Sequence, residues 1–198
     1  MQDNFKDKAK VWDKGSTRVN GAKTIADAIG RKIDLASHME VIDFGVGTGL
    51  LGFEIVPKVK SILGVDTSLA MLQKLEEKNT TELFIEPCNQ DIVQMPLEKE
   101  FHGVISSMTL HHVEDLELFF KRIYENLKND GFIALADLEK EDGTFHSDNT
   151  GVFHFGFEEQ ELLQVVKNVG FKNISIENIN TIEKPSRDFG VFLLTATK

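Results

Sequence analysis

Val41-Ile42-Asp43-Phe44-Gly45-Val46-Gly47-Thr48-Gly49 is the stretch that decides how this chain folds. A short apolar β-type run breaks into glycines at alternate positions, and Gly49 to Val56 then reads as a helix stopped by Pro57. Glycine permits a tight strand-to-helix turn and lets a ligand approach the backbone closely. The free N–H groups at a helix start favour an electronegative group. Taken alone, the loop fits a dinucleotide site or a plain tight turn as well as any other cofactor site. Asp43 narrows the choice: a carboxylate placed just before the glycines repels a pyrophosphate and attracts an ammonium or a sulfonium.

Downstream, short apolar runs alternate with amphipathic ones. Ser61 to Val65 is a second strand, ending at Asp66; Ser68 can cap a helix bearing Leu69, Leu72 and Leu75. Leu83-Phe84-Ile85 is a third strand and Gly103 to Ser107 a fourth. A helix is predicted over Glu114 to Leu127, a turn at Asn129-Asp130-Gly131 and a fifth strand over Phe132 to Ala136. After a polar loop at 139–157, Glu158 to Val169 is a helix closed by Gly170. Ile174-Ser175-Ile176 and Val191 to Leu194 follow with no helix between them, which predicts an antiparallel pair at the sheet edge. Upstream, Ile25, Ala28, Ile29 and Ile33 have helical spacing within residues 1–36, a helical cap segment. The pattern predicts a single α/β domain over residues 1–198, doubly wound around a mainly parallel sheet. In such sheets ligands bind beyond the C-terminal strand ends, where the unusual residues of this chain fall. Asp66 can accept both hydroxyls of a ribose, or simply cap the helix after it. Asp91 can accept from an adenine amine, with Ile92 or Val93 against the ring, or simply close a turn. Ser107, His111 and His112 follow the fourth strand.

These residues resemble the class I S-adenosylmethionine-dependent methyltransferases, most closely the small-molecule group called type 11 or type 12. The likeness covers Glu40 to about Leu135. The glycine loop is similar to the family's first motif, which carries the methionine part of the cofactor. Gly64-Val65-Asp66-Thr67-Ser68 with Met71-Leu72 resembles the second, where the acid holds ribose. Asn89-Gln90-Asp91-Ile92 with Met95-Pro96-Leu97 resembles the adenine motif. Ser106 to Asp115 resembles the segment flanking the reaction centre, and Leu127 to Gly131 the turn before the fifth strand. The resemblance implies a Rossmann-like, seven-stranded sheet with an antiparallel edge strand and S-adenosylmethionine as cofactor. It implies cofactor contacts at Asp43, Gly45, Gly47, Gly49, Asp66, Thr67, Met71, Asp91, Ile92 and Ser107. Phe101-His102 departs from the family's Phe-Asp, and Asn129-Asp130-Gly131 lacks its proline; neither lies at an expected cofactor contact.

Displacement at a sulfonium methyl needs an acceptor held in line, water excluded and one proton managed. His111 and His112 are the candidate bases, since imidazole titrates near neutrality; being adjacent, they are expected to point different ways. His146 and His154 lie in the polar loop, whose phenylalanines form either a lid over the acceptor or a clasp into the next helix. Trp12 covers the cofactor or anchors the N-terminal segment. No spacing matches a metal motif, so no metal is expected. The formal charge of −10, from 22 basic and 32 acidic side chains, argues against a nucleic-acid acceptor. With no inserted substrate domain, a small-molecule acceptor is expected. No run of about 18 apolar residues suits a membrane span, and Met1 to Lys6 hold no apolar leader core. The single cysteine, Cys88, fits the reducing cytoplasm. A non-catalytic cofactor-binding regulator and a nicotinamide-dependent reductase are the competing functions. The reductase would usually close its loop as Gly-x-Gly-x-x-Gly, where this chain has Leu50.

Overall fold

In the computed structural model, which describes residues 5–185 and 187–198, β1 (Glu40–Phe44) is an interior strand of a seven-stranded sheet. The stretch read as lacking a leader core lies outside the described residues as far as Asn4. β2 (Ser61–Asp66) and β4 (Phe101–Ser107) flank β1 in parallel, β3 (Ile85–Asn89) forms one edge beyond β2, and β5 (Leu127–Leu138) lies beyond β4. β6 (Lys172–Glu183) and β7 (Asp188–Thr197) close the other edge as the expected antiparallel pair. The order is β3-β2-β1-β4-β5-β7-β6. The reversed strand, β7, slots between β5 and β6, because the short connection after β6 can only return the chain antiparallel beside it.

Alternation along the strands feeds two cores. On one face Val41, Ile62, Ile105 and Ala134 pack with Ala28 and Ile29 of α1 (Ser16–Lys32), and with Leu72 and Leu75 of α3 (Leu69–Glu76). On the other Ile42, Val104, Ile133 and Leu194 pack with Phe119, Phe120 and Ile123 of α4 (Leu116–Asn126), and with Leu162 and Val166 of α5 (Glu159–Val169). No helix among the described residues is long and apolar enough to cross a membrane.

Three elements differ from expectation. The helix after the glycine loop, α2, is one turn, Gly52–Ile55, because the backbone of Gly45, Gly47 and Gly49 runs at positive φ and delays it; Pro57 lies in a following 3-10 turn. The third strand begins at Ile85, with Leu83 and Phe84 left exposed. There the Asn79 side chain bonds both the N–H and the C=O of Ile85, setting the strand's start. Pro87 is tolerated within it because β3 is an edge. The fifth strand starts at Leu127, so the predicted turn at Asn129-Asp130-Gly131 is an irregularity inside it, with Asp130 at φ +61°, and it runs on past Ala136, which carries Asp137 into the sheet.

Candidate active site

The C-terminal ends of β1, β2 and β4 open on a cavity of about 1480 Å³. The glycine loop is tied to β2 by N–H bonds from Gly45 and Val46 to the carbonyl of Val65. Gly45, at φ +68°, packs so close to Thr109 that a β-carbon would stand 2.2 Å from its methyl. Gly47, at φ +54°, faces open space where no atom lies within 4 Å of a β-carbon position, so its backbone is bare to a ligand. Asp66 ties the two ends together: one carboxylate oxygen accepts from the Gly47 N–H at 2.8 Å and the other from the Ser68 N–H at 2.8 Å. A carboxylate offers about four acceptor positions, so these bonds set its orientation without exhausting it. Ser68 accepts from Met71 as the cap of α3.

Asp43 is buried, and its Oδ2, lodged beside Gly52, has no hydrogen-bond partner of good geometry among the described residues. Burial, and next the charge of Asp66, push its pKa from the ordinary 3.8 to about 8, with the Gly52 amide pulling the other way. A carboxyl so placed is neutral until a cation arrives. A cationic ligand beside Gly47, a ribose on Asp66 and an apolar ring near Met71 and Val93 fit this half of the cavity.

The other half is built on imidazoles. His111 and His112 sit on a 3-10 turn, Leu110–His112, and both line the cavity, their ring centroids 4.2 Å apart. The expectation that they diverge is therefore corrected: the tight turn and the covering loop bring both rings inward, with His146 stacked 5.0 Å from His111. His112 Nδ1 lies 2.6 Å from the carbonyl of Gly151. Burial, then the charge of His111, lower its pKa; burial with the two neighbouring imidazoles takes His146 down to about 4. His111 Nδ1 lies 2.7 Å from Asp137 Oδ1, and the His111 backbone N–H donates to Oδ2. Burial would raise the Asp137 pKa, but the charge of His111 and the hydrogen bonds from His111 and Leu138 outweigh it and hold the carboxyl below the ordinary value. An ionised carboxylate only accepts, so Nδ1 of His111 donates to it. The Nε2 of His111 is buried, with no hydrogen-bond partner among the described residues. Asp137 was missed in the sequence, although an acid at the end of the apolar run Phe132 to Leu138 was the available signal.

Asp43, Gly45, Gly47, Asp66, Thr67, Met71, Asp91, Ser107, His111 and His112 all line this one cavity. Gly49 and Ile92 do not. Gly49 faces the Phe53 ring, so it shapes the turn from behind. Ile92 is fully buried in the core, because Asp91 Oδ1 accepts from the N–H groups of Val93 and Gln94 and turns Ile92 inward; Val93 takes its place on the cavity wall. Both readings of Asp91 thus hold in part: it closes a turn and lines the cavity. Trp12 lines the cavity too, but Arg18 stacks on its face at 4.3 Å. Asp13 beside it bonds the hydroxyl of Thr48 at 2.5 Å and pairs with Lys78 at 2.7 Å, fastening the N-terminal segment to the glycine loop. His154 bonds the carbonyl of Val113. Departure from the family at His102 is accounted for: its Nδ1 accepts from the Glu40 N–H, at the far end of the strands.

Residues 42–135 match the family described as Methyltransferase domain. An uncharacterized methyltransferase of Schizosaccharomyces pombe is 31% identical over 75% of this chain and 57% of its own length. The carboxy-S-adenosyl-L-methionine synthase of Nautilia profundicola is 25% identical over 72% of this chain and 73% of its own. The chain thus spans little more than half of the yeast relative. Among solved structures, the S-adenosylmethionine dependent methyltransferase of Mesorhizobium loti superposes with a TM-score of 0.73 at 18% identity, covering 91% of this chain and 100% of that one.

Proposed function

The chain belongs to the class I S-adenosylmethionine-dependent methyltransferases, and on that premise we propose that it transfers the methyl group of S-adenosylmethionine to a small-molecule acceptor by in-line displacement. When bound, S-adenosylmethionine supplies a methyl group already activated on a sulfonium. The observation that carries the reading is the buried carboxyl of Asp43, whose Oδ2 has no hydrogen-bond partner among the described residues, in the same cavity wall as the open turn at Gly47. It is a place for the positively charged methionine end of the cofactor. Asp66 holds the ribose, Asp91 and Val93 hold the adenine, and Thr67, Met71 and Ser107 complete the wall. His111 is the base, and Asp137 positions it. The cofactor would supply the methyl group and leave as its thioether, and Nε2 of His111 would take the proton that the acceptor gives up. His112 stands beside this path as a polar wall, since its Nδ1 is engaged by Gly151. A small acceptor is supported by a cavity wall that includes Phe145, His146 and Phe153, and by a net charge that repels polyanions. The free thiol of Cys88 fits a cytoplasmic setting.

Calorimetric titration with S-adenosylmethionine and S-adenosylhomocysteine tests the cofactor assignment, with NADH as control. Saturable binding of both, weakened roughly tenfold or more by Asp66→Ala and absent for NADH, is expected. Failure of either adenosyl compound to bind overturns it. Binding without methyl transfer to any acceptor would instead favour the regulator.

A further inference from the structure

One stretch of the cavity wall is made of rings. Phe5 stands edge-on to His112 with centroids 5.4 Å apart; His112 is 4.2 Å from His111, His111 is 5.0 Å from His146, and His146 is 4.8 Å from Phe145. All five line the cavity, and they come from separate parts of the chain: the N-terminal segment, the turn after β4 and the loop before α5. Phe119, Phe120 and Phe171 also form a run of rings, but those lie buried in the core. Phe5, His112, Phe145 and His146 stay partly exposed. Rings left open in this way offer faces and edges to another ring. The polar atoms of the same wall lack partners too. Nε2 of His111, on a side chain 1% exposed, and Nε2 of His146 are buried with no hydrogen bond among the described residues. A buried nitrogen is costly until something bonds it. Net charge does not choose the ligand, because Lys8, Arg18 and Lys184 share the cavity with acids such as Glu114, Asp148 and Glu183. Cations of the chain itself already sit on the end rings, Lys8 5.4 Å over Phe5 and Lys184 3.8 Å over Phe145, so those rings favour a neutral partner.

Resting on the methyltransferase reading above, we propose that the acceptor is a phenol, whose ring packs among Phe5, His112, Phe145 and His146 and whose hydroxyl bonds Nε2 of His111 and of His146. A hydroxyl has one donor and two acceptor positions, enough for both nitrogens. One molecule thus meets the two shortages of this wall, a ring partner and a hydrogen-bonding group. The chemistry of the base agrees: a phenolic hydroxyl, with an ordinary pKa of about 10, is an acidic enough donor for an imidazole to relieve of its proton. That proton goes to Nε2 of His111, as above. His146 then holds the hydroxyl from the covering loop, while His111 holds it from the sheet.

Calorimetry on the full chain tests this with 2-naphthol and its saturated analogue decahydro-2-naphthol, each titrated into the free protein and into the protein saturated with S-adenosylhomocysteine. Saturable binding of 2-naphthol in both forms is expected, roughly tenfold tighter than that of decahydro-2-naphthol, which keeps the hydroxyl and loses the aromatic ring. His146→Phe, which keeps a ring and removes the nitrogen, should weaken 2-naphthol roughly three- to tenfold, and His146→Asn should restore part of the loss. Phe145→Leu should weaken 2-naphthol while leaving decahydro-2-naphthol within about twofold of wild type. In the wild type alone, no saturable binding of 2-naphthol by about 1 mM, or equal affinity for the two compounds, overturns the proposal. So does 2-naphthol binding that S-adenosylhomocysteine abolishes, because the ring then occupies the cofactor half, and so does wild-type affinity for 2-naphthol in His146→Phe. If the wild type binds no S-adenosylhomocysteine, it is the cofactor assignment that fails, while the titration of free protein still reads the ring wall.

Discussion

At the scale of single residues, Asp43 sets function against stability. Its carboxyl is held at about 8 in the folded protein against 3.8 in an unfolded chain. The folded state therefore keeps a proton that the unfolded state loses, and the stability present below pH 4 is lost progressively as pH rises toward 8. Asp43→Asn removes that penalty. Its free protein is expected to unfold at a higher temperature than wild type at pH 8.5, by a gain of at least ~1 kcal/mol, and to bind S-adenosylmethionine poorly. A lower melting temperature for the variant at that pH would show that the carboxylate is held by partners after all. The same proton links to the cofactor: its affinity should rise with pH up to about 8 and then level, with proton release on binding read by calorimetry in two buffers. His111 and Asp137 act as a unit. His111→Gln and Asp137→Asn are each expected to lower kcat by roughly 10²-fold with little change in cofactor affinity. The double variant should be scarcely slower than either alone. Additive losses would mean that the two residues work separately.

At the scale of elements, the glycine loop and the N-terminal segment form one device. Gly45→Ala meets Thr109 and must hold φ +68°, so a loss of about 2–4 kcal/mol is expected from overpacking and left-handed strain together. Thr109→Ala, which removes the two atoms nearest that position, should recover part of the packing loss but none of the backbone strain; full recovery of the melting temperature would show that strain is negligible. Asp13 joins the N-terminal segment to Thr48 and Lys78, but it is exposed. Asp13→Ala should therefore cost under ~1 kcal/mol of stability while speeding cofactor release in stopped-flow measurements. An unchanged release rate would mean that the segment does not cover the cofactor. At this scale the sequence was readable where apolar spacing was strong, as in α4 and α5, whose predicted spans differ from the observed ones by no more than two residues at either end. It misplaced β3, because hydrophobicity at Leu83 and Phe84 outweighed the side-chain bonds by which Asn79 starts the strand.

For the whole molecule, the sheet gathers strand ends that are far apart in sequence into one cavity. A ligand bound only by the folded state should raise the melting temperature. At about 100 times its dissociation constant, S-adenosylhomocysteine is expected to add about 2.7 kcal/mol, or on the order of 5–10 °C for a chain of this size. No shift in differential scanning calorimetry would place the cofactor elsewhere or remove it.

What the sequence determined by itself was whatever depends on local chemistry and order. Glycines after a short apolar strand, acids at successive strand ends and apolar periodicity were enough for the α/β sheet, the cofactor class and most of the residues lining the cavity. Only the tertiary structure decided which of these face the ligand. It buried Ile92 and turned Gly49 away, brought both His111 and His112 to the same wall, and carried Asp137 beneath His111. The physical reason is that direction and partnership are properties of packing: spacing along the chain tells which residues can share a face, while the neighbour each finally meets is set by elements distant in sequence.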